Sequence, residues 1–245
     1  MIPWYHMEDS KRWLPIVVTG ILLLLAGLFV LRVVVFYSQI RKGDDQQRSF
    51  GASAELTRSP ALAAAIRSTP ADEVYSVEDD DDPMLGGKDA RLTIVEFADF
   101  GCPYSRKASS SMRALALTYG ENIRYIYRDF PITEIHPDAF LAAQAGQCAN
   151  EQDKFWVYHD ALYQHQEDLS RAALRSYAQA VGMDVGAFDR CLASGRYRQE
   201  VEKDYAEGVA AGVVGTPTFF FNGRRVEGAI PLEILRSLID TFLKV

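Results

Sequence analysis

The 245-residue chain has only three cysteines and four histidines, with 17 glycines and 10 prolines. That poverty of cysteine rules out a disulfide-dense mini-protein, and the glycine and proline content rules out a collagen-like chain. Hydrophobic residues make up 48% and charged residues 24%, which argues against wholesale disorder. There is no block of basic residues and the net charge is −7, so nucleic acid is not an expected partner. No internal repeat is present. His136, His159 and His165 are not spaced as metal ligands. What remains is enough chain for one compact domain with additions, or for two small ones.

The mean hydropathy, −0.09, averages two unlike parts. Leu14 to Leu31 is 18 residues without a charge, and Val33 to Tyr37 continues the apolar run past Arg32. As a helix, residues 14–37 reach about 36 Å at ~1.5 Å per residue, enough to cross a bilayer with some tilt. Trp13 and Tyr37 stand where aromatic side chains favour the interface, and Arg32 can snorkel. A buried core helix and a cleaved signal peptide are the rival readings. The small-residue stretch Ala52-Ser53-Ala54 falls too far downstream for cleavage. The expectation is a 13-residue stub followed by one uncleaved membrane anchor over 14–37. Lys11 and Arg12 before it and Arg41, Lys42 and Arg48 after it leave the orientation open on charge alone.

The charge is equally segregated. Asp72 to Asp89 holds eight acidic residues and one lysine, a net −7, which leaves 25 charges of each sign elsewhere. The run Glu78 to Asp82 repels itself and fixes no ligand geometry, so it reads as solvated spacer rather than a metal site. Ser59-Pro60 suits the start of a short helix over the alanines that follow. Residues 38–89 are expected to be a tether, with the folded domain over 90–245.

Within that domain Leu92 to Phe97 reads as a buried strand, and a helix follows from Pro103 to about Thr118, closed by Gly120. Ile123 to Tyr127 is a second strand. Residues 137–211 carry no strand-like run and read as several helices. Thr218 to Phe221 and Arg224 to Glu227 flank Asn222-Gly223, a strong hairpin turn. Pro231 to Leu243 closes the chain as a helix. The order predicts an α/β fold, a mixed sheet covered by helices.

The chemistry points to Cys102, between a strand and a helix N-terminus, where free N–H groups and the helix dipole favour a thiolate. Glu96, in the strand, is expected to lie buried below it as a proton relay, with an edge-exposed carboxylate as the alternative. Pro217, entering the third strand, has the position of a cis proline.

Together these residues resemble the DsbA-like thiol–disulfide oxidoreductases of the thioredoxin superfamily. The resemblance runs from about Asp82 to Val245. It rests on Glu96-Phe97-Ala98-Asp99-Phe100, Cys102-Pro103-Tyr104-Ser105, Arg128-Asp129-Phe130-Pro131, Gln147-Cys148-Ala149, Lys154-Phe155-Trp156, Phe188 to Leu192 and Gly215 to Phe219. It implies a thioredoxin fold with a helical insertion at about 137–211, preceded by the one transmembrane helix. It also implies a cis Pro217 facing Cys102, and a Thr216 backbone that pairs with extended substrate. Pro103 and Tyr104 would line that substrate site. Cys148 and Cys191 match positions of the family's insertion, and a bridge between them leaves Cys102 free. Two buried free cysteines, or Cys148 resolving Cys102, are the alternatives. Such a bridge calls for an oxidising compartment. The domain is therefore expected outside the cytoplasm of a bacterial-type cell, single-pass in the plasma membrane.

Ser105 departs from the family's Cys-x-x-Cys. It cannot form the internal disulfide, though its hydroxyl could steady the Cys102 thiolate. Three readings stay open: a monothiol oxidoreductase or isomerase resolved by an outside thiol, a substrate-trapping substitution, and a redox-inactive binding or chaperone module. The expected partners are thiols and disulfides of secreted or membrane proteins, a redox partner protein or small thiol, and the bilayer through residues 14–37. No cofactor and no metal are expected. His136 is expected to cap a turn, His159 to pack, and Arg128 to be structural.

Overall fold

The computed structural model describes Gly27, Arg32, residues 74–78 and residues 81–244. The chain divides into a segment over Met1–Thr57 and a compact unit over Arg58–Val245. In the first, Gly27 and Arg32 are helical. The anchor expected over 14–37 otherwise lies outside the described residues, as do the helix after Ser59-Pro60 and most of the tether. Among the described residues no helix is long and apolar enough to cross a membrane.

The second unit is a mixed sheet between helices. Its described strands are β1 (Met84–Gly86), β2 (Leu92–Ala98), β3 (Ile123–Asp129), β4 (Thr218–Phe221) and β5 (Arg224–Glu227), in the order β1-β3-β2-β4-β5. β2 and β3 run parallel and the other pairs are antiparallel. All seven residues of β2 are buried, as a central strand covered on both faces requires. Helix α1 (Pro103–Tyr119) makes the crossover from β2 to β3. The insertion comprises α2 (Ala139–Asn150), α3 (Phe155–Gln164), α4 (Arg171–Ala180), α5 (Val185–Ser194) and α6 (Arg198–Ala210), and α7 (Leu232–Leu243) closes the chain.

Side-chain alternation along β2 divides the core. Ile94 joins Tyr125 and Phe219 under Met112 and Leu115 of α1 and Leu235 and Ile239 of α7. Val95 and Phe97 point the other way, with Ile126, Phe220, Val77 and Val213. Ala98, Phe100 and Tyr127 extend into a third cluster built from the insertion helices. Within the insertion, Ser170 and Asp184 cap α4 and α5 by accepting from the Ala173 and Ala187 N–H groups.

The domain does not start at residue 90. Val74 bridges to Arg224, and the Tyr75 N–H donates to the Gly223 carbonyl at 2.9 Å. Val77 is buried, and Met84–Gly86 adds β1 to the free edge of β3. Residues 74–78 and 81–89 are thus a strap across one sheet face, not a tether. The acid run is not uniformly solvated either. Glu78 pairs with Arg124 at 3.1 Å, and the Asp82 carboxylate is buried 3.0 Å from Nε of Arg128. The reason is Arg128, a fully buried cation. Its guanidinium also meets Asp204, bonds Glu207 at 2.7 Å and donates to the Val77 carbonyl at 3.2 Å. A buried guanidinium needs such counter-charge, and an acidic strap supplies part of it. Burial first, then the Asp204 carboxylate, raises the Asp82 carboxyl far above its ordinary range against the pull of Arg128. Part of the net −7 therefore belongs to the folded domain.

Candidate functional site

β2 and β4 are antiparallel neighbours, with Phe97 opposite Thr218. The end of β2 and the start of β4 therefore lie side by side, and the turns there bring residues 102 and 216 together. Cys102 has extended backbone (φ −83°, ψ 121°) and caps α1, with Pro103 in the first turn, where its missing N–H costs nothing. The Cys102 N–H donates to the Asp99 carbonyl at 3.0 Å. Its Sγ donates to the Thr216 carbonyl at 3.3 Å, and the Thr216–Pro217 peptide is cis. The sulfur is held between the positive end of a helix and the Thr216 carbonyl. Only 6% of Cys102 is exposed, while Tyr104 beside it is 65% and Val214 on the facing loop 82% exposed. Thr216 Oγ1 is buried without a partner.

Ser105 is fully buried, and its Oγ accepts the Asp99 N–H at 3.4 Å. Among the described residues it makes no hydrogen bond to Cys102, so the expectation that it steadies the thiolate finds no bond to act through.

Glu96 is 1% exposed, which excludes the edge-carboxylate alternative. Its Oε2 accepts from the Tyr125 hydroxyl at 2.5 Å, and Oε1 has no partner. Burial pushes the carboxyl up to about 8, and the Tyr125 hydrogen bond opposes this. Around it lies a polar–aromatic layer. Tyr163 donates to the Asp99 carbonyl at 3.4 Å and shares a 3.1 Å hydrogen bond with Tyr127. Burial raises the Tyr163 hydroxyl well above its usual range, and the charges of Glu96, Asp99 and Cys102 add to this. His159 is enclosed by Phe100, Tyr127, Phe155, Trp156 and Tyr163, with Nδ1 on Asp160 at 2.9 Å. Burial lowers its pKa.

Cys148 of α2 and Cys191 of α5 form a disulfide across 43 residues, and Cys102 is a free thiol. With Cys148 bonded, it cannot resolve Cys102.

Three residues that sequence reasoning left aside belong to the site. Buried Asp99 accepts the Gly101 N–H at 2.6 Å on Oδ1, and the Ile132 N–H at 2.9 Å on Oδ2. His136 Nδ1 lies 2.7 Å from that same Oδ2. His136 is thus more than a turn cap. Gln166, at the end of the α3 region, donates to the Phe100 carbonyl at 2.6 Å and the Cys102 carbonyl at 2.9 Å. Apart from the Asp99–Gly101 bond, these contacts join residues 33 to 66 positions apart, beyond the reach of local periodicity. Asp99 alone gave a signal, as a charged residue continuing an otherwise buried strand. Among the described residues one acid set, Asp81, Asp82 and Glu200, brings its oxygens within 4.8 Å of one another. Arg128 already serves Asp82 there.

A thioredoxin family profile matches residues 78–241, so the chain belongs to the thioredoxin family. A thioredoxin-like oxidoreductase from Silicibacter pomeroyi superposes with a TM-score of 0.62 at 26% identity, covering 72% of this chain and 99% of that one. BdbD from Bacillus subtilis gives 0.63 at 21% identity, covering 70% and 98%. By sequence, 168 residues are 39% identical to a Na(+)/H(+) antiporter NhaA 3 of Salinispora tropica. The match covers 69% of this chain and 26% of that relative's length. The thiol-disulfide exchange protein alpha-DsbA2 from Wolbachia pipientis shares the fold, with a TM-score of 0.59 at 22% identity, covering 74% of this chain and 95% of that one.

Proposed function

We propose that this is a membrane-anchored, extracytoplasmic thiol–disulfide exchange protein that works through the single thiol Cys102 on thiols and disulfides of secreted or membrane proteins. The observation that carries the reading is the Cys102 sulfur at a helix N-terminus, 3.3 Å from the carbonyl of the cis Thr216–Pro217 peptide. The Cys102 thiolate attacks one sulfur of a substrate disulfide R–S–S–R″. The Cys102–S–S–R bond forms, and R″S⁻ leaves with the electron pair of the broken bond. Ser105 cannot displace R, so an outside thiol completes the exchange. Thr216 and Pro217 would hold the chain around the substrate cysteine, with Tyr104 and Pro103 beside it. Glu96 would exchange protons beneath the site. The Cys148–Cys191 disulfide supports an oxidising compartment. The apolar run at 14–37 supports attachment to a bacterial-type plasma membrane, with the domain facing the periplasm or cell exterior.

A second reading, a redox-inactive or substrate-trapping binding module, is favoured by the buried Ser105 in place of a resolving cysteine. Mass spectrometry of disulfide-linked species trapped from cells separates the two. The first reading expects mixed disulfides on Cys102 and loss of activity in Cys102→Ala. A Cys102 that carries no adducts, with full activity in Cys102→Ala, overturns it.

A further inference from the structure

Cys102 has no second thiol in reach, so under the function just proposed its mixed disulfide is released by a thiol from outside. An unperturbed alkyl thiol, with pKa about 8.5, is mostly protonated at neutral pH, and only the thiolate attacks. A group that takes this proton beside the sulfur therefore governs the rate. The Asp99–His136 pair is the candidate, because it packs against Gly101, the residue before Cys102. The Asp99 carboxylate on Nδ1, at 2.7 Å, assigns the ring hydrogen to Nδ1 and leaves Nε2 as the basic nitrogen. Asp99 is itself fixed by the Gly101 and Ile132 N–H groups, so the ring is held at the turn that carries Cys102. The ring also lies against Gly101, the residue before Cys102. A Cβ at 101 would fall 2.5 Å from His136 Cβ and 2.7 Å from Cγ, so glycine is what admits the imidazole there. The His136 side chain is 18% exposed and the Asp99 side chain not at all, so an incoming thiol meets the histidine. His159, by contrast, is sealed among aromatic rings.

We propose that His136 is the proton acceptor for the thiol that resolves the Cys102 mixed disulfide. R′S–H gives its proton to Nε2, and R′S⁻ attacks the substrate sulfur of Cys102–S–S–R. The R–S–S–R′ bond forms as the Cys102–S bond to that sulfur breaks, and Cys102 leaves as thiolate with the electron pair. The proton passes from His136 to solvent. One disulfide is lost and one gained, so no further oxidant is consumed. Of the charged and titratable groups, Asp99 bonds the ring at Nδ1, Glu134 and Asp138 are its neighbours along the loop, and Cys102 follows Gly101, against which the His136 side chain lies.

The test loads Cys102 of the full chain with glutathione as a mixed disulfide. Its release by reduced glutathione is followed by quenched flow between pH 6 and 10. The unsubstituted protein should show an inflection beyond the ionisation of glutathione itself. In His136→Asn, whose carboxamide still donates to Asp99, release at pH 7 should fall by roughly 10- to 100-fold. The deficit should close once glutathione is already ionised. Alkylation of free Cys102 by iodoacetamide, in which no incoming thiol takes part, should change less than about twofold, because the Asp99 bond is kept. A profile in the unsubstituted protein that follows glutathione ionisation alone overturns the proposal, whatever the variant does. So does a deficit that is equal at every pH or equal in alkylation. A Cys102 that accepts no mixed disulfide overturns the proposed function together with this inference, whereas a disulfide that forms and resolves without the extra inflection overturns this inference alone.

Discussion

Replacing Glu96 by glutamine should stabilise the domain at neutral pH and change it little at pH 5. Burial raises the Glu96 carboxyl to about 8 from an ordinary 4.5. Below the ordinary value both folded and unfolded chains hold the proton, and the contribution of Glu96 is whole. Through the window from 4.5 to about 8 the unfolded chain gives up its proton and the folded chain keeps it. Stability then falls by about 1.4 kcal/mol per pH unit and the contribution is lost as pH passes the folded value. Between pH 5 and pH 7 the loss is about 3 kcal/mol. Glutamine has nothing to titrate, and its carbonyl can accept the Tyr125 hydroxyl that now bonds Oε2. Other titrating groups move both proteins alike, so the difference between their stability curves isolates Glu96. Urea unfolding of both proteins at pH 5, 6, 7 and 8 measures it. A difference that stays flat across this range would refute the reasoning, because it would mean that Glu96 ionises in the fold as it does in water.

Arg128→Met should cost about 3–5 kcal/mol in urea unfolding, because Asp82 and Asp204 would lose their buried counter-charge. Limited proteolysis should then cut within residues 74–83, and a change below about 1 kcal/mol with an uncut strap would contradict the account. Removing the disulfide with Cys148→Ala and Cys191→Ala should lower stability by about 4 kcal/mol, the loop-closure value for a separation of 43 residues. The same pair of changes should leave Cys102 alkylation within about twofold, which peptide mapping after labelling can follow. Gln166→Glu should slow Cys102 alkylation at pH 7 by roughly tenfold and Gln166→Ala by less, since the carboxylate cannot donate to the Phe100 and Cys102 carbonyls and adds charge near the sulfur. Equal rates in both variants would mean that Gln166 only fills space.

Much of this domain is legible locally. The strand at Leu92–Ala98 is an unbroken apolar run, the hairpin turns on Asn222-Gly223, and Cys102-Pro103 opens a helix. Each depends on residues adjacent in sequence. The strap was not legible, for a physical reason. Glu78 to Asp82 has the composition of a solvated spacer, and Asp82 is buried because it joins Asp204 and Glu207 on a buried guanidinium 46 positions later. Arg128 sits in a strand whose sequence does not say that it faces inward with its charge. The same limit hid His136 and Gln166. A histidine before Pro137 reads as a turn, and a glutamine near a helix end reads as solvent-facing. Only the folded path of the insertion brings Gln166 to the two carbonyls that frame Cys102.

Buried Ser105 has a consequence for energy as well as for mechanism. A pair of thiols can be emptied of two electrons and refilled, so it carries a potential of its own from one encounter to the next. Here the other two sulfurs are bonded to each other and the position beneath Cys102 holds an oxygen. Between encounters such a centre retains nothing from the last. Under the proposed function it would carry a bond from one sulfur to another, and the ratio of thiol to disulfide in its surroundings, not the protein, would set the direction of traffic.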